Sequence, residues 1–446
     1  MSQKDLTQGR VPTALAKLTA PMVMGVSSSI LVQTLEMGFI GQLSTQHVAA
    51  ITFTFPLAMI LTSIALGISI GTSSVIARTV GAGNHEQVAR LGTHSLILVG
   101  GLMAVLSAIG WTMIDPLFAA MGASPAMMPL IHSYLDIYLP STALFTLTMI
   151  AGSIMRANGN ANIPGVIMTI GALVNLALDP ILIFGWFGLP RLELAGAAWA
   201  MTLTRIVTAV IMLYYVTAGN MVSTQQWFAH FFASAKRILH VGLPATATQL
   251  IGPVTAALIT TMLARHGDVV VAGFGIAGRI EAVAAIMMFA LSGSIGPFVG
   301  QNWGGGEIER VRQGVKASYL FCLIYGFCMA VPLFFFGSEI AALIDDEPTS
   351  LVTAAFYLSV VPWSYAFWGV LMMASASFNA LGKPLPGTAL AFTRMFFVYL
   401  PLAYTLNHYY GYKGIFVATA LSNMLLGIAA WLWFRQRLAG MQKAYA

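Results

Sequence analysis

The sequence predicts an all-α membrane protein of twelve transmembrane helices in two pseudo-symmetric six-helix lobes. Only 8% of the 446 residues are charged and 58% are hydrophobic, with a mean hydropathy of +0.81. Soluble domains carry about 25% charged residues. Twelve stretches are long and apolar enough to cross a bilayer, and the two halves of the chain repeat one pattern. A surface with so few charges is suited to lipid rather than water.

The twelve predicted spans each hold about 20 or more mostly apolar residues, as a bilayer crossing requires. Proline and glycine occur inside many of them, which is tolerated in lipid because neighbouring helices satisfy the freed backbone groups. The spans cover residues 18–41, 47–77, 93–113, 129–154, 164–187, 195–217, 239–264, 270–299, 317–338, 350–376, 386–407 and 414–434.

The basic residues predict the orientation of these spans. With the N-terminus in the cytoplasm, fifteen of the 21 Lys and Arg residues lie on the cytoplasmic side, three lie outside and three lie within spans. The bias predicts a multi-pass protein of a bacterial inner membrane with both termini cytoplasmic, and it explains the net charge of +6 without a nucleic-acid partner. The inner set is Lys4, Arg10, Lys17, Arg78, Arg90, Arg156, Lys236, Arg237, Arg310, Arg312, Lys316, Lys383, Arg435, Arg437 and Lys443.

An internal repeat relates the two halves at an offset of 223 residues, half the chain length. Pro21 aligns with Pro244, and two glycine-rich segments, ARTVGAGNHEQVAR and GQNWGGGEIERVRQ, share one pattern. The offset later shortens, because LAGAAWAMT resembles YKGIFVATA. Six spans in each half give both halves the same orientation in the membrane. The expected domains are an N-terminal lobe at 1–217, a cytoplasmic linker at 218–238 and a C-terminal lobe at 239–446.

Two carboxylic acids stand out well within spans of the first half, Glu36 in the first and Asp179 in the fifth. An ionised carboxylate there costs at least about 2.5–3.5 kcal/mol unless it is paired, hydrated or protonated. Both helices run outward, and about 15–18 residues at 1.5 Å each place the acids at similar depths. Asn175 shares a helix face with Asp179, and Gln33 shares one with Glu36. Such a cluster can exchange a proton or hold Na⁺ with oxygen ligands.

Each charged residue of this group also has a structural interpretation. Glu36 lies near the end of its span, where it can face the membrane interface. Asp179 precedes Pro180, where a carboxylate can accept a backbone N–H at a kink. Arg205, in the middle of the sixth span, is either a structural counter-ion to the acids or a part of the proton cycle.

The second half has no acid at the matching positions, which are Ile259 and Leu402. Arg279 and Glu281 do lie in its second span, but two residues apart they point to different sides of a helix. We expect structural pairing with neighbouring helices there. The cation chemistry is therefore expected in the N-terminal lobe.

A substrate surface is only weakly marked. The 25 methionines and 11% aromatic residues suit a cavity for varied apolar cations, although most such side chains in a membrane protein simply face lipid. Gln33, Tyr138 and Met168 are the candidate cavity residues; Tyr138 lies near the helix interruption at Pro140, and its hydroxyl needs a partner. An intramembrane enzyme is disfavoured because HExxH and metal-spaced His sets are absent. No cofactor is expected beyond H⁺ or Na⁺ as the coupling ion.

Six short motifs follow one another along nearly the whole chain. They are LEMGFIGQL (35–43), ARTVGAGN (77–84), RANGNANIP (156–164), NLALDPILIFG (175–185), LAGAAWA (194–200) and FNALGKPLPG (378–387). Together they resemble the multidrug and toxic compound extrusion (MATE) transporters. The resemblance implies a V-shaped pair of six-helix lobes with alternating access, exporting cationic or amphipathic drugs in exchange for H⁺ or Na⁺. We expect a monomer in the lipid bilayer with small-molecule substrates.

The absence of acids at the matching positions of the second lobe resembles the DinF-like branch of that family. There, a first-helix aspartate and an Asn/Asp pair on the fifth helix form the coupling site. Asn175 and Asp179 match the pair, and Glu36 replaces the aspartate with a side chain one methylene longer. The family's sixth-helix threonine falls near Met201, so the adjacent Thr202 takes its place. The resemblance thus implies coupling through Glu36, Asn175, Asp179 and Thr202 beside Arg205, with H⁺ favoured over Na⁺ by the carboxylate pair.

A lipid-linked oligosaccharide flippase of the same superfamily is the alternative. Such proteins usually line their cavity with more basic residues, which grip pyrophosphate. Here the basic residues within spans are Arg205, Arg279 and Arg394.

Overall fold

The computed structural model describes residues 6–223, 225, 227–345 and 347–445, with side chains as far as residue 437. Lys4, one of the inner basic residues, lies outside the described residues, and so does the side chain of Lys443.

The first half of the described chain forms seven α-helices and one 3₁₀ turn. They are α1 (Val11–Gly41), α2 (Thr45–Gly81), α3 (His85–Thr112), α4 (Ile114–Ala120), α5 (Met128–Ala157), α6 (Asn162–Phe184), the 3₁₀ turn Trp186–Gly188 and α7 (Glu193–Ala218).

The second half forms nine α-helices with two irregular segments between them. They are α8 (Phe231–Ala264), α9 (Asp268–Ala284), α10 (Ile286–Gly304), α11 (Ile308–Ala342), α12 (Pro348–Val360), the 3₁₀ turn Val361–Ser364, α13 (Tyr365–Ala380), α14 (Leu385–Phe392), the π-helical segment Thr393–Tyr399, α15 (Leu400–Tyr410) and α16 (Tyr412–Tyr445).

The number of spans agrees with the sequence. Eleven helical spans of the described chain are long and apolar enough to cross a membrane, and α9 with α10, bent by 47°, make a twelfth. The predicted all-α fold of twelve transmembrane helices is confirmed. The predicted linker, however, is partly helical, because α8 already begins at Phe231.

The repeat is visible in the backbone of the loops. Gly83 and Gly306, which are 223 residues apart, have φ values of +74° and +78°. Glycine adopts such left-handed conformations without the steric cost that a Cβ atom would bring. Each glycine lies just before the next long helix, so both halves turn there by the same means.

The described chain divides into two compact units that differ from the predicted lobes at two places. The second unit contains Leu6–Thr19 besides Ala247–Ala446, and the first contains Ala20–Thr246. The physical reason is packing: residues 6–19 hydrogen-bond and pack within the second unit, and the first half of α8 packs within the first. Helices α1 and α8 are therefore each divided between units.

In the first unit, α5 is the central helix and packs against α2, α3 and α7, while α7 also packs along α6. The α6–α7 approach is close at Gly196, where a Cβ would collide with the carbonyl of Leu182. In the second unit α13 takes the central place, packing against α10, α11 and α16. The central α5 and the α6–α7 pair carry the candidate site.

Candidate cation-coupling site

Helices α1 and α6 bring the two predicted acids into the interior of the first unit. Glu36 is 6% exposed and Asp179 is fully buried, so Glu36 does not face the interface. The two carboxyl groups lie within electrostatic range of each other. Neither forms an ion pair among the residues that the structure describes. The site therefore concentrates two acids without a direct basic partner.

Asp179 has one satisfied and one unsatisfied oxygen. Asn175, one helical turn earlier, donates from Nδ2 to Asp179 Oδ2 at 2.9 Å, as their spacing of four predicted. The other oxygen, Oδ1, is buried and has no hydrogen-bond partner among the described groups. Buried polar atoms without partners are rare, and each calls for an explanation in the function of the site. A bound proton or cation would satisfy this oxygen.

Arg205 lies at the base of the cluster on α7. Its Nη1 donates to Ser141 Oγ at 2.6 Å and to the carbonyl of Tyr138 at 3.4 Å. Its guanidinium lies over the rings of Tyr138 and Phe145, at 4.5 and 5.1 Å from their centroids. It is also within electrostatic range of Glu36. The guanidinium of Arg205 is thus held against α5. It interacts with Glu36 through longer-range electrostatics and is not its ion-pair partner.

Three residues of this cluster were missed by sequence reasoning. Tyr134 stacks on Tyr138 with ring centroids 5.4 Å apart, and it interacts electrostatically with both acids. Ser141 and Phe145 hold Arg205. Tyr134 lies four residues before Tyr138 and Ser141 lies three after it, so the helical spacing of three to four along α5 was the available signal.

The remaining predicted residues lie around the cluster rather than in it. Thr202 is buried and donates its hydroxyl to the carbonyl of Ala198 on its own helix, at 2.8 Å. Gln33 is exposed. Met168 is half-buried and packs against Gly25 of α1. The structure therefore does not collect Gln33 and Met168 with Tyr138, and their place in a substrate cavity stays a prediction.

A groove of about 350 Å³ leads from the surface of the first unit toward the cluster. Its floor includes Ser141 and Thr202, both buried, and its rim includes Asp136 and Trp199. Apolar side chains of α5 line the rest. The groove ends at the hydroxyl that Arg205 holds.

Comparisons with known proteins agree with this architecture. The sequence pattern of the family described as MatE matches residues 21–181 and again 244–405, one match in each half. A mutant of the Vibrio cholerae MATE transporter VcmN has the same fold, with a TM-score of 0.93 and 30% identity over 96% of this chain and 97% of that one. This chain belongs to the MATE family.

Two relatives of this chain have names that point to different substrates. A Shewanella oneidensis protein named FAD transporter is 34% identical over 98% of this chain and 96% of its own length. A Staphylococcus aureus protein named multidrug export protein MepA is 24% identical over 94% of this chain and 92% of its own length. The chain is thus a multi-pass membrane transporter, and its family handles small molecules.

Proposed function

We propose that this MATE protein is a secondary active antiporter that exports cationic or amphipathic organic compounds in exchange for protons. The observation that supports this most directly is the buried pair of Glu36 and Asp179, with one carboxyl oxygen unpartnered. Ionisable residues held within a membrane commonly belong to ion or proton pathways. The pair occurs in one unit, at positions whose repeat counterparts are Ile259 and Leu402.

The proposed cycle uses protonation to change how α1 packs. In the outward-open state the two acids take up protons from outside. Their neutral forms no longer demand hydration, so α1 packs more closely against its neighbours and displaces the substrate. The lobes then return the empty site inward, where the protons leave. A membrane potential supplies about 2.3 kcal/mol per charge per 100 mV, so one or two protons drive substantial accumulation.

Flavin adenine dinucleotide is the second candidate substrate. The observation that favours it is the full-length 34% identity to the Shewanella oneidensis protein named FAD transporter. The dinucleotide carries a planar aromatic ring system at each end and is anionic at its central pyrophosphate. No contact described in the structure favours a lipid-linked oligosaccharide as the substrate over these two kinds of compound.

Further features of the proposal concern the setting. The protein acts as a monomer in the bacterial inner membrane, with both termini in the cytoplasm, as the distribution of Lys and Arg predicts. It uses no cofactor and catalyses no reaction. Na⁺ coordinated by Glu36, Asn175 and Asp179 is the alternative to proton coupling.

Transport by purified protein in liposomes tests the proposal. A cationic dye and flavin adenine dinucleotide are each supplied under an imposed pH gradient or an imposed Na⁺ gradient. We expect dye transport to follow the pH gradient and to disappear in Asp179→Asn, which keeps the shape of the side chain but cannot exchange a proton. The matched control is Asp115→Asn, an exposed acid bonded to His132.

Each outcome decides one part of the proposal. Transport of the dye that is unaffected by Asp179→Asn contradicts the coupling role of the acids. Transport driven by Na⁺ alone contradicts proton coupling. Transport of the dinucleotide but not of the dye replaces the first substrate class with the second.

A further inference from the structure

The second unit contains a polar network of its own, centred on the half-buried Glu281 in α9. The carboxyl oxygen Oε2 accepts hydrogen bonds from the hydroxyls of Tyr357 at 2.7 Å and Tyr365 at 3.0 Å. Both tyrosines are buried, one at the end of α12 and the other at the start of α13. This acid therefore joins three helices, as the sequence predicted for a structural pairing.

Arg394 extends the network to two further helical segments. Its Nη1 donates to Asn423 Oδ1 at 2.6 Å, and Asn423 Nδ2 donates to Ser364 Oγ at 3.0 Å. The guanidinium lies within electrostatic range of Glu281. A half-buried charge of each sign is thus held in its own set of hydrogen bonds, and the two sets lie within electrostatic range of each other.

The network connects the irregular points of the second unit. Glu281 lies one turn before the 47° bend between α9 and α10, Ser364 ends the 3₁₀ turn, and Arg394 lies in the π-helical segment. Breaks of this kind leave the regular ladder of backbone hydrogen bonds and commonly mark hinges. One set of side chains therefore spans three places where this unit can change shape.

The same positions in the first half belong to the cluster around Asp179. At the offset of 223, Tyr134 corresponds to Tyr357 and Ser141 to Ser364. At the shortened offset of 218, Arg205 corresponds to Asn423, and both side chains donate to the matching serine.

The two clusters differ in how completely their acids are satisfied. Asp179 keeps an oxygen without a partner, whereas one oxygen of Glu281 accepts two hydroxyls and Arg394 lies in range. A buried charge that is hydrogen-bonded and balanced is costly to disturb, because removing one partner leaves the other uncompensated. The first arrangement is suited to exchanging a cation, and the second to holding a fixed geometry.

We propose that Glu281 and Arg394 are positioning residues. They hold the bend, the 3₁₀ turn and the π segment in one fixed arrangement, so that the second unit moves as one rigid body and carries no coupled proton. The first unit then takes up the cation and the second responds to it. This inference rests on the proposed export function for its transport assay, but its stability assay is independent of that function.

Four variants test the inference in the purified full-length protein: Glu281→Gln, Arg394→Gln, the double variant, and Arg279→Gln. Arg279 is the control, because it is exposed and only two residues from Glu281. We expect each network variant to lower the thermal unfolding temperature and to reduce export turnover about tenfold. The double variant should recover part of both losses, because no buried charge is left alone. The control should match the wild type.

Proton release on substrate binding separates positioning from ion carrying. We expect Glu281→Gln to release as many protons per bound substrate as the wild type, measured with a pH dye in weak buffer. A smaller number would overturn the proposal by making Glu281 a proton carrier. Wild-type stability in both single variants, or losses that simply add in the double variant, would also overturn it. If Asp179→Asn left export intact, the stability cycle would still measure the coupling between Glu281 and Arg394.

Discussion

Replacing Arg205 by Met should destabilise the first unit well beyond the effect of an ordinary surface substitution. Methionine keeps much of the length of the side chain but removes the guanidinium. Four interactions disappear: the hydrogen bonds to Ser141 Oγ at 2.6 Å and to the carbonyl of Tyr138 at 3.4 Å, and the ring contacts with Tyr138 and Phe145 at 4.5 and 5.1 Å. Glu36 also loses the opposite charge in its range.

The magnitude follows from these contacts. A hydrogen bond to a charged group contributes about 1.5–3 kcal/mol. The cation–π contacts add roughly 0.5–2 kcal/mol, since Arg205 is only 8% exposed and is largely desolvated. Methionine recovers some apolar packing, so we expect a net loss of about 2–4 kcal/mol. Arg205→Lys keeps the charge but not the planar fork, and should lose about half as much.

Thermal unfolding in detergent, followed by tryptophan fluorescence, measures this loss. The matched control is Arg191→Met, because Arg191 is exposed and pairs with the exposed Glu193 at 3.4 Å. Such surface pairs contribute about 0–1 kcal/mol. Equal unfolding temperatures for the Arg205 and Arg191 variants would refute the assignment of a structural role to the Arg205 contacts.

Two further predictions concern α6 and its contact with α7. Asn175→Ala should leave both oxygens of Asp179 without a side-chain donor and shift the external pH at which export is half-maximal. Transport measured at a series of external pH values reports this shift. An unchanged pH profile would contradict a role for Asn175 in the site. Gly196→Leu should prevent stable folding, because even its Cβ would collide with the carbonyl of Leu182, whereas Gly101→Ala, in open space, should express normally. Equal yields of monodisperse protein for both glycine variants would contradict the close helix approach.

The fold was largely predictable because membrane spans leave a strong local signal. Length, hydropathy and the distribution of Lys and Arg gave twelve spans, and the structure has eleven plus one bent pair. The bend after Ala284 was not foreseen, since the segment 270–299 is mostly apolar and is long enough for one continuous span. The early start of α1 at Val11 was also missed, because its first two turns include polar residues that composition assigns to a loop.

The candidate site was predictable where one helix carries the signal. The spacing of four between Asn175 and Asp179 predicted their hydrogen bond. The similar depths of Glu36 and Asp179 in their helices predicted that the two carboxyl groups lie within electrostatic range of each other. Contacts between helices were not predictable, because nothing in one sequence states which faces meet. Tyr134 was missed for that reason, and the place of the exposed Gln33 near the cluster stays a prediction.

The division of α1 between the units bears on how such a chain can arise by duplication. Arg310 donates to the carbonyls of Leu6, Gln8 and Gly9, and Asn302 also bonds Leu6. A fragment beginning at the linker would lack those three carbonyls and leave Arg310 with only Asn302 Oδ1 of its described hydrogen-bond partners. An ancestor with a single copy of the repeat would therefore have needed a second molecule to supply the equivalent of this N-terminal segment.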